Sequence, residues 1–113
     1  ALSGHSYGGL FATWMMLTTG TRIFDRYIIV SPSLWYDDGM IFDVASKAKA
    51  AGRVYMAAGD MENPVMPGDL RRFARIVRRD GLTLRDEVLE GETHNSIFPS
   101  AFSRGLRFIF EGR

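Results

Sequence analysis

Four short runs of aliphatic, β-branched and aromatic residues alternate along this chain with four stretches whose apolar residues recur every three or four positions. Few architectures accept that order. Strand, helix, strand is the repeating unit of a parallel sheet with helical crossovers, so the expected fold class is α/β with a mostly parallel sheet. The clearest strand is Tyr27-Ile28-Ile29-Val30, apolar at every position as a strand covered on both faces must be. Strands are also expected over 1–4, 53–58 and 83–89. The first helix follows Ser6, with Leu10, Phe11, Trp14, Met15 and Leu17 as its sheet-facing stripe and Thr18-Thr19-Gly20 as its stop. A second is expected over 40–50. A third covers 69–79, where Leu70, Phe73, Ala74 and Val77 share one face, after a loop broken by Pro64 and Pro67. The last covers 99–110, with Phe102, Leu106 and Phe110 at intervals of four. Neither linker nor internal repeat divides the sequence, so residues 1–113 are expected to belong to a single domain. The opening Ala1-Leu2-Ser3-Gly4 reads as the tail of a strand whose beginning is missing.

Bulk properties exclude more than they assign. A formal charge of +1 gives no broad field for nucleic acid or an anionic membrane, and neither is expected as a partner. No apolar run approaches the ~20 residues that span a bilayer, so the chain reads as soluble, cytoplasmic or periplasmic. Cysteine is absent, which removes disulfides and thiolate metal sites. The arginines Arg71, Arg72, Arg75, Arg78 and Arg79 fall off the apolar stripe of the third helix and read as a solvated face. Asp37-Asp38 lacks further oxygen ligands nearby and reads as a helix N-terminal cap, not a metal pair.

Chemistry concentrates in three places. Gly4-His5-Ser6-Tyr7-Gly8 is a G-x-S-x-G segment with a strand before it and a helix behind. In that context the serine sits on a strained turn that lifts its hydroxyl above the sheet, and the flanking glycines avoid collisions. The turn also aims the Tyr7 backbone N–H at a developing oxyanion, beside the positive end of the helix dipole. The plainer alternative is a glycine-rich turn that cradles phosphate. His94 lies in the polar loop Gly91-Glu92-Thr93-His94-Asn95 after the last strand, where a general base for Ser6 belongs. His5, the other histidine, is expected to pack beside the turn. An acid that orients His94 should follow a strand between serine and histidine. Glu62, three residues beyond Gly59, has the offset for that role, and Asp60 is the alternative acid. A serine–histidine pair without an acid also stays open. Trp35 and Tyr36 leave the second strand at the same sheet edge, where they either wall an acyl or aromatic pocket or pack in the core.

Gly4-His5-Ser6-Tyr7-Gly8-Gly9, Ile29-Val30-Ser31-Pro32-Ser33-Leu34-Trp35-Tyr36 and Gly91-Glu92-Thr93-His94-Asn95-Ser96 together resemble the esterase branch of the α/β hydrolases. That branch includes esterase D-like enzymes and the siderophore trilactone esterases. The resemblance runs over nearly the whole chain and implies a partial α/β-hydrolase fold, its C-terminal part, beginning at the nucleophile elbow. It matches Ser6 to the family nucleophile and His94 to the family base. Some siderophore esterases use a dyad, which leaves Glu62 open. The segment before the elbow, with several strands and the loop donating the second oxyanion N–H, has no counterpart here.

The expected activity is therefore carboxylic-ester hydrolysis through an acyl-enzyme on Ser6, without metal or organic cofactor, on siderophore-type or aryl esters. Acyl transfer by the same fold and a non-catalytic fragment or binding module are the alternatives. An exposed sheet edge is expected to invite self-association.

Overall fold

The computed structural model describes residues 1–78 and 81–112. The elements follow the expected order: β1 (Leu2–His5), α1 (Tyr7–Thr19), β2 (Arg26–Val30), α2 (Tyr36–Lys47), β3 (Gly52–Gly59), α3 (Val65–Val77), β4 (Leu82–Leu89) and α4 (Ile97–Glu111). The strands form one parallel sheet in the order β1-β2-β3-β4, with Ser3 beside Ile28, Ile28 beside Tyr55 and Tyr55 beside Arg85. Because every crossover steps the same way along the sheet, a constant hand puts α1, α2 and α3 on one face. There Ala12, Met16, Ile41, Leu70 and Phe73 enclose Tyr27, Ile29, Val54 and Met56. The alternate residues Ile28, Val30, Tyr55 and Ala57 face the other way, against Ile97, Ala101, Phe108 and Ile109 of α4. Strand periodicity thus divides a continuous apolar run such as Tyr27–Val30 between two cores.

The helical stripes differ from expectation in two places, for one reason. On α1 the residues packed inward are Gly9, Ala12, Thr13, Met16 and Leu17, while Phe11 and Trp14 stand 55% and 42% exposed. On α4 they are Ile97, Ala101, Gly105, Phe108 and Ile109. Phe102 is half-buried, and Leu106 and Phe110 point outward. At one point each helix comes too close to β2 or its exit for any larger side chain. A Cβ on Gly9 would lie 3.0 Å from Pro32 Cα, and one on Gly105 would lie 2.8 Å from Ile28 Cγ2. Closeness selects glycine at these two points, which centres the inward face on Gly9 and Gly105 and leaves Phe11, Trp14, Leu106 and Phe110 off it.

α3 begins at Val65, four residues before the expected start, and takes in Pro67. A proline in the first turn costs no hydrogen bond, because the first N–H groups of a helix have no partner within it. Leu70, Phe73, Ala74 and Val77 are buried as expected, and Arg71, Arg72, Arg75 and Arg78 are exposed. Arg72 lies 4.1 Å above the Phe42 ring, and Arg78 donates to Asp86 at 2.6 Å. Arg79, the fifth expected arginine of this face, lies outside the described residues. The cap expected from Asp37 and Asp38 does not form: they and Gly39 have φ of 52°, 54° and 73°, and no side chain caps α2. Regular helix starts at Met40. No helix among the described residues is long and apolar enough to cross a membrane.

Candidate active site

Ser6 joins β1 to α1 with φ 63° and ψ −121°, a conformation a side-chain-bearing residue adopts only when its surroundings hold it there. Three backbone bonds do so. Ser6 N–H donates to Val30 O at 3.1 Å, and Ser6 O accepts from Leu10 N–H at 3.0 Å and Ser33 N–H at 3.1 Å. The turn is so tight that a Cβ on Gly4 would sit 2.1 Å from Gly8 O. The matching expectation for Gly8 is corrected: its own Cβ would meet nothing within 4 Å, and the second glycine with a steric reason is Gly9. Tyr7 is the first helical residue, so its N–H has no partner within α1.

His94 arrives from the opposite edge of the sheet, on the segment between β4 and α4. Its Nε2 lies 3.0 Å from Ser6 Oγ, and its Nδ1 lies 2.6 Å from Glu62 Oε1. An ionised carboxylate only accepts, so Nδ1 carries the proton and Nε2 is left to accept from the serine hydroxyl. Glu62 leaves the end of β3 and is the most enclosed member, its side chain 2% exposed against 38% for His94. Its Oε2 accepts from Gly59 N–H at 2.7 Å and from Ser31 Oγ at 2.6 Å. Asp60, the alternative acid, turns elsewhere: its Oδ1 accepts from Gly91 N–H at 2.8 Å, which ties the β3 and β4 exits together.

His5 packs beside the turn and also holds His94. Its Nε2 donates to His94 O at 2.8 Å, the two rings lie 4.8 Å apart, and Phe98 meets its edge. The residues sequence reasoning missed lie in Ser31-Pro32-Ser33. Ser31 donates to Glu62, Pro32 abuts Gly9, and Ser33 fixes the turn at Ser6. The sequence signal was a polar pair flanking a proline at the end of a buried strand.

Ser6 and His94 open into a cavity of about 430 Å³ lined also by Tyr7, Ser33, Trp35 and Met61. Trp35 is 45% exposed, so it belongs to the wall of this cavity and not to the core. Tyr36 does not line it. With Tyr7, Phe11, Trp14 and Met40 it walls an adjoining apolar groove of about 300 Å³. Among the described residues no group of three or more His, Cys, Asp or Glu side chains is placed to hold a metal ion.

The chain is similar to three proteins in particular. The ferri-bacillibactin esterase BesA of Bacillus subtilis is 31% identical over 118 residues, covering 93% of this chain and 40% of its own length. The siderophore triacetylfusarinine C esterase of Aspergillus fumigatus is 29% identical, covering 98% of this chain and 49% of its own length. The crystal structure of the BES protein from Bacillus cereus superposes with a TM-score of 0.79 at 32% identity, over 95% of this chain and 43% of that one. The chain thus spans less than half the length of each. No family model matches it. Sequence and fold together place this chain in the α/β-hydrolase esterase family that contains these siderophore esterases, of whose length it spans a part.

Proposed function

We propose that this chain carries the reacting groups of a serine carboxylic-ester hydrolase. One observation carries the reading: an unbroken hydrogen-bond line from buried Glu62 through both nitrogens of His94 to a serine held at positive φ on a cavity wall. Ser6 Oγ attacks the ester carbonyl carbon while His94 Nε2 takes the hydroxyl proton. The carbonyl oxygen gains the charge, and the Tyr7 N–H at the start of α1 receives it. Collapse expels the alcohol, which takes the proton from His94 and leaves an acyl group on Ser6. Water then attacks that ester, His94 accepts the water's proton, and the acid departs as Ser6 recovers its own. Glu62 fixes the tautomer of His94 and stabilises the imidazolium formed in each half-reaction. The base is 38% exposed, so water reaches it, which favours hydrolysis over acyl transfer.

The proposed substrates are siderophore-type or aryl esters. The relatives' names support this, and so does an open cavity with a half-exposed indole in its wall. On the same reading residues 1–113 form part of one α/β-hydrolase domain.

The test is a fluorophosphonate probe, which phosphonylates only an activated serine, followed by mass-spectrometric location of the adduct. Labelling at Ser6 that Ser6→Ala abolishes is expected, with turnover across a panel from short acyl esters to catecholate trilactones. Absence of labelling in the protein as it is naturally made, or labelling that survives Ser6→Ala, refutes the assignment.

A further inference from the structure

Ser31 is fully buried and holds a φ of 43°, a region that glycine enters freely and other residues enter at a cost. It directly follows β2, and its N–H donates to Ala57 O at 2.7 Å, carrying the β2–β3 pairing one residue past the strand end. That register sets its hydroxyl beside the end of β3, where Oγ donates to Glu62 Oε2 at 2.6 Å. The same oxygen accepts from Gly59 N–H at 2.7 Å. A carboxylate with one oxygen held by two donors has lost its freedom to rotate, so its other oxygen is committed to a single direction. Here that direction is His94 Nδ1, 2.6 Å away.

With the hydroxyl removed, Oε2 would keep one backbone donor, about which the carboxylate can pivot. A buried carboxylate short of a donor also loses the interaction that compensates its desolvation. From this geometry we infer that Ser31 is a positioning residue: its hydroxyl locks Glu62, and through Glu62 it fixes the orientation and tautomer of His94. The inference rests on the proposed serine-hydrolase reading for its effect on rate, though not for its effect on His94. The loop bearing Ser31 also bears Ser33, whose N–H holds Ser6 O at 3.1 Å, so one loop steadies both ends of the hydrogen-bond line.

A double-mutant cycle separates positioning from mere structural support. Ser31→Ala is expected to lower kcat about tenfold with KM within twofold, because the bond lost is a charge-assisted one and the lost interaction acts on chemistry and not on substrate. In a Glu62→Gln background the same substitution should change kcat by less than about twofold. Ser31→Gly removes the whole hydroxymethyl group but suits the positive φ, so it should fold and show the same loss. The second readout needs no activity: in Ser31→Ala and Ser31→Gly the low-field Nδ1–H proton signal of His94, followed by NMR, should move upfield, because a displaced carboxylate holds that proton less closely. Equal losses of kcat in both Glu62 backgrounds, or an unchanged His94 Nδ1–H signal in both Ser31 variants, overturn the inference. Persistence of full esterase activity in Ser6→Ala would overturn the hydrolase reading instead, leaving the His94 Nδ1–H signal to decide the link from Ser31.

Discussion

Replacing Glu62 by glutamine changes one atom of the site and is expected to abolish nearly all its activity. The Oε2 position receives two donors, Gly59 N–H and Ser31 O–H, so the glutamine must put its carbonyl oxygen there. Its amide nitrogen then occupies the Oε1 position, 2.6 Å from His94 Nδ1, where it can only donate. Two donors cannot face each other at that distance. The imidazole escapes by moving its proton to Nε2, which then presents N–H to Ser6 Oγ and cannot act as base. A histidine trapped in the wrong tautomer costs about 10⁴ in kcat, or about 5 kcal/mol of barrier. Side-chain volume is conserved, so the melting temperature should move little. Initial rates on a p-nitrophenyl ester measure the effect, with Asp60→Asn as control. Asp60 binds Gly91 N–H and not His94, so that variant should lose at most a few-fold. A loss below about tenfold in Glu62→Gln would refute the argument and make Ser6 and His94 a self-sufficient pair.

Ser6→Ala and His94→Ala should each remove several orders of magnitude of kcat, and the double variant no more than either, because the two groups act as one unit; retention of a tenth of kcat in either variant contradicts the assignment. Gly4→Ala drives a Cβ to within 2.1 Å of Gly8 O and should cost about 1–3 kcal/mol in denaturant titration, whereas Gly8→Ala, with nothing within 4 Å, should be neutral or stabilising by about 0.5–1 kcal/mol. Trp35→Ala should raise KM for aryl esters more than for acetyl esters; equal changes would make the indole structural. Produced alone, residues 1–113 should self-associate through the outer edge of β1, and a monodisperse monomer in sedimentation would contradict that expectation.

The parallel architecture was legible because continuous apolar runs such as Tyr27–Val30 have few other homes. Ser6 and His94 were legible as candidates because each sits at a fixed offset from a strand end, whereas the choice among Glu62, Asp60 and no acid stayed open until the geometry brought Glu62 to His94. What stayed hidden depends on closeness between segments distant in sequence. Gly9, Ala12 and Gly105 mark the helix faces nearest the sheet, yet small residues carry no periodic apolar signal, so Phe11, Trp14, Leu106 and Phe110 drew the stripe instead. The start of α3 was lost to a rule about proline that lapses in the first turn. Ser31 escaped notice because its part follows from the register of β2 on β3 and from a positive φ that residue type alone does not announce.

Among the described residues β1 and β4 are the outermost strands of the sheet, separated by β2 and β3, and strands ~4.8 Å apart put roughly 14 Å between them. Two side chains close that span: His94, from the β4 side, reaches Ser6, and His5, from the β1 side, returns a bond to the His94 carbonyl. The segment carrying His94 is thereby a tie between opposite margins. Fraying of β1 and lifting of the His94 segment become one opening event with one free energy, and amide protons at both margins should exchange with solvent together. A ligand held between Ser6 and His94 would slow that exchange at places it never touches, so occupancy of the cavity is readable from the far margin of the sheet.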